Sequence, residues 1–99
     1  MIAFSREACI APGKTALALG FAHEISAYMK DAYGVSLEVL TPVGGNPARV
    51  CWSAQYKDLA AFDAVMSKLT GDQKYWAIVA KATDNFIAGS MQDQIWRTA

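Results

Sequence analysis

The chain has 99 residues, a length that suits one small domain. Hydrophobic residues make up 54% of it, which favours an oligomer interface as a second place to bury apolar surface. Nine Lys and Arg balance nine Asp and Glu, so we expect no basic stripe and no nucleic-acid partner.

Cysteine usage and hydropathy point to the cell interior. Cys9 and Cys51 lie in alternating apolar runs without a CxxC pair, so we interpret them as reduced core thiols. The N-terminus has no basic segment followed by an apolar one, and no run is apolar for the ~18 residues of a membrane span. We therefore expect a soluble, cytoplasmic protein with no membrane partner.

In the first third of the chain, the hydrophobic pattern changes once, from the alternation of a strand to the periodicity of a helix. Residues 1–10 alternate, which predicts a strand with one apolar face. Pro12 and Gly13 break that strand, and residues 14–33 then predict an amphipathic helix that ends at Gly34. The predicted apolar stripe of this helix consists of Leu17, Phe21, Ile25, Tyr28, Met29 and Ala32.

Two strands and two helices are predicted in the middle of the chain. Residues 35–41 and 48–57 alternate, and the Gly- and Pro-rich loop between them favours an antiparallel hairpin. Asp58 and Asp72 are placed to cap two helices that Gly71 separates. The predicted stripes of these helices are Leu59, Phe62, Val65, Met66 and Leu69, then Tyr75, Ile78, Val79, Ala82 and Phe86.

A short strand over 93–99 completes the order β-α-β-β-α-α-β. This order predicts an α+β protein with the ferredoxin-like fold, an antiparallel sheet and one domain spanning 1–99. Helices would cover only one side of the sheet. We expect the other side to be solvated or covered by a partner.

The stretch APGKT, residues 11–15, ends like a phosphate-binding P-loop. The full motif needs a first glycine five positions before Gly13, and Ala8 stands there. Pro12 also removes a backbone N–H that would hold a phosphate oxygen. We interpret the stretch as a Pro-Gly turn that leads into the helix.

Titratable residues on the first helix are the next candidates. The only histidine, His23, lies off the apolar stripe, so we expect it exposed and no metal site around it. Glu24 lies on the edge of the stripe. It either reaches water or points into a cleft, where partial burial would raise its pKa and suit a general base.

The less apolar face of the strands carries a mixed polar set. Glu38 and Arg49 are its candidate binding residues, and Cys9, Leu40 and Cys51 accompany them. This mixture suits the inside of a dimer, as a ligand-lining set or as a structural ion-pair network. The polar members are Ser5, Glu7, Ser36, Glu38, Arg49, Ser53 and Gln55.

Aromatic residues offer a second candidate site. Core packing is their default role, but a pocket between helices and sheet, floored by Trp52 and Tyr56, would suit a flat apolar ligand. Tyrosine hydroxyls, including that of Tyr28, would then orient the ligand.

The whole chain resembles the dimeric α/β-barrel superfamily, and within it the NIPSNAP-like small bacterial proteins. The resemblance rests on REACIAPGK before a long helix, on DLAAFDAVMSKLTGDQKYW, and on the ending GSMQDQIWRTA. It implies a homodimer whose two sheets close a barrel. The superfamily includes cofactor-free monooxygenases acting on polycyclic aromatics, isomerases of small lactones and haem-degrading enzymes, whose catalytic residues have no counterpart here.

We predict a homodimer that binds a small apolar molecule between helices and sheet, without a cofactor. The candidate binding residues are Glu24, Tyr28, Glu38, Arg49, Trp52 and Tyr56. One alternative is a cofactor-independent monooxygenase or isomerase, in which Glu24, Glu38 or Arg49 serves as base or anion stabiliser. The other is a structural or assembly subunit without a ligand.

Overall fold

A computed structural model describes all 99 residues and confirms the predicted α+β class. Its four strands form one antiparallel sheet in the order β2-β3-β1-β4, and both crossovers between non-adjacent strands are helical, as in the ferredoxin-like fold. The elements are β1 (Ile2–Cys9), α1 (Thr15–Tyr33), β2 (Glu38–Leu40), β3 (Arg49–Tyr56), α2 (Leu59–Thr70), α3 (Gln73–Ala82) and β4 (Gln92–Arg97).

Strand register divides the sheet into two sides. Phe4 pairs with Ala54 and Ser5 with Ser53, so successive residues of β1 and β3 alternate together. We call the face that the helices cover the helix side and the opposite face the open side. The core lies on the helix side and includes Ile2, Phe4, Ala8, Val50, Trp52, Ala54 and Tyr56 from the strands.

The apolar stripe of α1 differs from the prediction. Ala18 and Ala22 are fully buried, whereas Leu17 and Ala32 are exposed, so the predicted stripe is wrong at those two positions. The indole of Trp52 packs beneath α1, and its Nε1–H donates to the carbonyl of Ala22 at 3.3 Å. Small residues of α1 face the sheet because the large indole of Trp52 fills the space between helix and sheet.

The second strand is shorter than predicted. It covers three residues, because Val35 and Leu37 pack against the core instead of joining the sheet. Gly34 ends α1 in the left-handed region, with φ 68°. The N–H of Val35 donates to the carbonyl of Met29 at 3.3 Å. The hydroxyl of Ser26 donates to the carbonyl of Leu37 and holds the connection against the helix.

Both predicted helix caps are confirmed. The carboxylate of Asp58 accepts from the N–H of Ala61, and that of Asp72 accepts from the N–H of Tyr75. Leu59 is half exposed, so it is not part of the buried stripe. Phe86 lies beyond the end of α3, after a 3₁₀ turn over Thr83–Asn85.

The segment with the phosphate-loop ending is a turn, as predicted. Gly13 has φ 77°, and the N–H of Lys14 donates back to the carbonyl of Ala11 at 3.1 Å. The N–H of Ala11 is held by the carbonyl of Asn85. None of the helices combines the length and the hydrophobicity that crossing a membrane requires.

Candidate functional site

Rows of small and polar side chains cover the open side of the sheet. Ser5 and Ser53 face each other at its centre, and Glu38 extends this row on β2. The next row brings Glu7 beside Cys51, because the same register places these two residues opposite one another. Predicted polar residues far apart in sequence therefore meet here.

Arg49 and Glu7 form an ion pair on the open side. The Nη1 atom of Arg49 lies 3.3 Å from Oε2 of Glu7, and both side chains are partly exposed. Arg49 also donates from Nε to the carbonyl of Asn46 at 2.8 Å and from Nη2 to the carbonyl of Gly44 at 2.9 Å. The guanidinium thus links β1 to the loop between β2 and β3.

Gly45 permits this arrangement in two ways. Its φ of 73° belongs to the left-handed region, and a Cβ at this position would stand 2.7 Å from Nη2 of Arg49. A side chain here would therefore strain the backbone and displace the guanidinium. The loop over 41–48 is held by the hydrogen bonds that Arg49 donates to the carbonyls of Gly44 and Asn46.

A depression of about 240 Å³ opens beside the ion pair. Its apolar wall is formed by Leu40, Pro42, Val50 and Cys51, and its polar wall by Glu7, Thr41 and Arg49. Burial, with a smaller contribution from Glu7, raises the pKa of the Cys51 thiol. Cys51 therefore stays protonated near neutral pH and contributes an apolar surface.

The helix side of the sheet is filled at the predicted aromatic pocket. Trp52 and Tyr56 are buried, and neither contributes to the depression beside Arg49. The ring of Trp52 contacts those of Phe21 and Phe86, with centroids 6.1 and 6.2 Å away. Tyr56 meets Phe62 edge to face at 5.2 Å, and burial raises the pKa of its hydroxyl.

Glu24 lies in a different place from the other predicted residues. It lines a groove of about 350 Å³ between α1 and α3, with its Oε2 3.8 Å from Nζ of Lys81. Both side chains of this pair are at least half exposed. His23 is exposed on the same helix, as predicted.

Tyr28 belongs to a cluster that the sequence did not reveal. The hydroxyls of Tyr28 and Tyr33 both donate to Oδ2 of Asp72, at 2.6 and 2.5 Å. These hydrogen bonds lower the pKa of Asp72, and they raise the pKa of Tyr28 and bring that of Tyr33 to about 12. The cluster fastens the start of α3 to the end of α1, so the structure gives Tyr28 a structural contact.

Arg6 and Asp93 form a second feature that sequence analysis missed. The guanidinium of Arg6 donates to both carboxylate oxygens of Asp93, at 2.7 and 2.8 Å, between β1 and β4. The hydrogen bonds that Arg6 donates to Asp93 raise the pKa of Arg6. The two residues are 87 positions apart, so only the strand order could have indicated the pair.

Comparison with solved structures shows the ferredoxin-like fold. An uncharacterized NIPSNAP domain protein from Burkholderia xenovorans has a TM-score of 0.83 at 18% identity, covering 100% of this chain and 95% of that one. A NIPSNAP family protein from Agrobacterium tumefaciens has a TM-score of 0.77 at 20% identity, covering 99% and 92%. A protein named antibiotic biosynthesis monooxygenase has a TM-score of 0.75 at 11% identity, covering 100% and 99%.

These similarities confirm the predicted resemblance at the level of the fold. No protein-family model matches the chain, and no curated protein matches its sequence. The structural neighbours are therefore guides to architecture, and the chemistry has to be argued from the residues of this chain.

Proposed function

We propose that the chain forms a homodimer through the open side of its sheet and binds a small, largely apolar molecule in the depression beside Glu7 and Arg49. The contrast between the two sides of the sheet carries the proposal. Aromatic rings fill the helix side at the predicted pocket. The open side keeps a depression that has both an apolar and a polar wall.

The composition of the open side favours a second copy as its cover. The strands of this side have no lysine, Glu7 and Arg49 form a neutral pair, and Glu38 on the edge strand β2 is the remaining charge. Leu40 and Trp96 are 43% and 64% exposed. Solvated sheet faces normally carry more charge, so a second copy of this weakly charged, partly apolar face is a fitting partner.

The size of the face is consistent with an interface that also includes loops. Four strands of three to eight residues, about 4.8 Å apart, give a sheet face of roughly 400 Å². Stable interfaces bury about 800 Å² per partner, so surrounding segments have to contribute. The loop between β2 and β3 is suited to this, because Val43 is fully exposed beside the open side.

The lining of the depression defines the class of ligand. Leu40, Pro42 and the protonated thiol of Cys51 offer an apolar surface. Arg49 uses three of its N–H groups within the protein, which leaves others for a ligand carbonyl or carboxylate. A compact apolar molecule with one acceptor group matches this wall, and a second copy would close the open side over it.

The proposed site contains one of the predicted binding residues, and the others do not line it. Arg49 lines the depression, and Glu38 lies on the same side of the sheet. Trp52 and Tyr56 lie on the helix side, and Glu24 lines the groove between α1 and α3. The proposed ligand therefore lies between the two sheets of a dimer.

A cofactor-independent oxygenase is the second candidate function. It is favoured by the fold shared with the protein named antibiotic biosynthesis monooxygenase. Glu7 would then be the carboxylate nearest the substrate, since it lines the depression directly. Oxygen consumption with an identified ligand, compared between the wild type and a Glu7→Gln variant, tests this candidate.

Native mass spectrometry of the protein as purified tests the main proposal. At low micromolar concentration we expect a dimer carrying additional mass on the order of a few hundred daltons that denaturation releases. Ser53→Arg places a charge at the centre of the open side and should give a monomer without the additional mass. Ala64→Arg, an exposed position on α2, is the matched control and should remain a dimer.

A further variant separates the ligand from the dimer. Cys51→Phe fills the depression, so we expect a dimer that has lost the additional mass. A wild-type dimer without additional mass would contradict the proposed ligand but not the proposed interface. A monomeric wild type would contradict both parts of the proposal.

A further inference from the structure

The outer surface of α1 carries an exposed leucine beside a groove. Leu17 is 59% exposed, and the groove of about 350 Å³ between α1 and α3 runs next to it. Phe21, Ile78 and Ala82 are buried or partly buried and give this groove an apolar floor. Because the buried residues of α1 face the sheet, this exposed surface faces away from it. A dimer that forms through the open side therefore leaves it uncovered.

Gly20, which also lines the groove, has no structural role within a single copy. It lies inside α1, where every residue except proline is more favourable than glycine. A Cβ at this position would meet nothing within 4 Å, so close packing in the chain does not require a glycine. Its missing side chain does leave the outer surface of α1 open to close approach by another molecule.

The charges at the two ends of this surface are complementary. The helix begins at Thr15 without a side-chain cap and without an acidic residue in its first turn, so the positive end of its dipole is uncompensated. Lys14 adds a positive charge there and forms no ion pair within the chain. Glu24 lines the groove, and its pair with Lys81 is long at 3.8 Å and exposed. One end of the surface therefore attracts the carboxylate that the other end offers.

We propose that two copies of the chain pair through α1, antiparallel about a two-fold axis between Leu17 and Gly20. In this register Leu17 of each copy stands level with Gly20 of the other and enters the groove beside it. Because residues 17 and 20 are level, residues 24 and 13 are level too. Each Glu24 then reaches Lys14 and the uncapped first turn of the other α1.

Other arrangements of the two helices satisfy fewer of these groups. An antiparallel pair centred on Gly20 would place Leu17 opposite His23. A pair centred on Leu17 would bring the two leucines together and leave both grooves empty. A parallel pair would place the two Glu24 carboxylates at the same level, where like charges repel. The register between Leu17 and Gly20 fills both grooves and brings opposite charges together.

This contact is small, so we expect it to be weak. Two facing helix surfaces of this length bury roughly 300–400 Å² per copy, about half of the area in a stable interface. The pair should be dissociated at low micromolar concentration, at which the open-side dimer is tested, and should form on the order of hundreds of micromolar. The two surfaces face opposite directions, so this contact does not depend on the proposed function. Where both contacts form, dimers join into chains.

Sedimentation equilibrium over a range of concentrations tests the contact most directly in Ser53→Arg. This variant should be a monomer at low micromolar concentration and should pass to a dimer, and no further, as concentration rises. Adding Gly20→Gln fills the approach to the groove and should weaken the pairing roughly tenfold or more. Ala64→Gln, an exposed change on α2, is the matched control and should leave the pairing unchanged.

Thermal unfolding separates lost pairing from lost structure. Glutamine is a better helix former than glycine, so Gly20→Gln should raise the midpoint of unfolding by about 2–6 °C at low concentration. Leu17→Gln removes the inserted side chain and should also weaken pairing roughly tenfold. Glu24→Gln should weaken it about threefold at low salt and less at high salt, because salt screens exposed charges.

Two results would overturn the α1 contact. One is Ser53→Arg that stays monomeric at every concentration, and the other is Gly20→Gln that pairs as well as Ala64→Gln. Ser53→Arg that is still a dimer at low micromolar concentration would contradict the open-side contact alone. The wild-type chain then decides on α1, because its average mass should rise beyond a dimer with concentration and should stop at the dimer in Gly20→Gln.

Cross-linking with a short bismaleimide tests the direction of the pair, with Cys9 and Cys51 replaced by serine. In the antiparallel pair, position 14 of one copy lies near position 24 of the other, whereas the two positions 24 lie about 16 Å apart along the helices. A mixture of Lys14→Cys and Glu24→Cys proteins should therefore cross-link in high yield, and Glu24→Cys alone in low yield. Equal yields, or the reverse order, would overturn the antiparallel register.

Discussion

The two sides of the sheet use neighbouring residues for different purposes. Trp52 is buried on the helix side among aromatic rings and donates to the carbonyl of Ala22. Ser53, the next residue, is only partly buried at the centre of the open side. Structural and candidate binding residues therefore lie one step apart on the same strand. The contrast indicates that substitutions on one side should affect stability and those on the other should affect association.

The largest test of this contrast compares Trp52→Ala with Ser53→Ala. Removing the buried indole leaves a cavity, and we expect the free energy of unfolding to fall by about 3–5 kcal/mol. Ser53→Ala should change it by less than about 0.5 kcal/mol. Urea unfolding at one fixed protein concentration measures both, because association contributes to apparent stability. Similar losses in the two variants would contradict the division between sides.

The junction of α1 and α3 should make stability depend on pH at both extremes. The pKa of Asp72 is lowered by its hydrogen bonds from Tyr28 and Tyr33, so its contribution is present above the unfolded value near ~3.9 and is lost as pH falls. The pKa of Tyr33 is raised to about 12, so its contribution is present below ~10 and is lost as pH rises toward 12.

Asp72→Asn tests this junction on the helix layer. We expect a lower midpoint of thermal unfolding at neutral pH and a weaker dependence on pH at both extremes. Asp63→Asn, an exposed change on α2, is the matched control and should keep the wild-type profile. Identical profiles for the two variants would show that the tyrosine hydrogen bonds contribute nothing to stability.

The smallest effects are expected from the two exposed ion pairs, one on each layer. Glu7→Gln weakens the pair with Arg49 at 3.3 Å, and we expect a loss of less than about 1 kcal/mol. Glu24→Gln weakens the pair with Lys81 at 3.8 Å and should cause no measurable loss. Chemical unfolding at low and high salt measures both. A larger loss of stability in Glu24→Gln than in Glu7→Gln would contradict this ranking.

The order of the elements was predictable because the hydrophobic pattern changes between the strand and helix periods next to residues that end or cap these elements. Pro12 and Gly13 separate β1 from α1, and Asp58 and Asp72 cap α2 and α3. The errors occurred where tertiary packing overrides local pattern. On α1 the hydrophobic pattern included Leu17, but the indole of Trp52 requires the small Ala18 and Ala22 to face the sheet.

The candidate site was predictable only in part, because sequence shows which face a residue occupies and not what fills the space beside it. The polar face of the strands was identified correctly, including Glu7 and Arg49. The predicted aromatic pocket depended on empty space above Trp52, and Phe86 occupies that space from a segment 34 positions later. Arg6 and Asp93 were missed because their contact depends on the strand order.

The hydrogen bonds from Arg49 to the loop between β2 and β3 also limit how the chain can change length. Loops joining strands usually accept insertions, since they lie at the surface and pack loosely. Here the guanidinium reaches back to the carbonyls of Gly44 and Asn46, so the spacing from 44 to 49 is set by the reach of one side chain. Insertions beside Val43 should be tolerated. Insertions beside Asn46, within the span from 44 to 49, should disorder the wall of the depression. The loop thus combines a segment open to evolutionary change with one that is fixed in length.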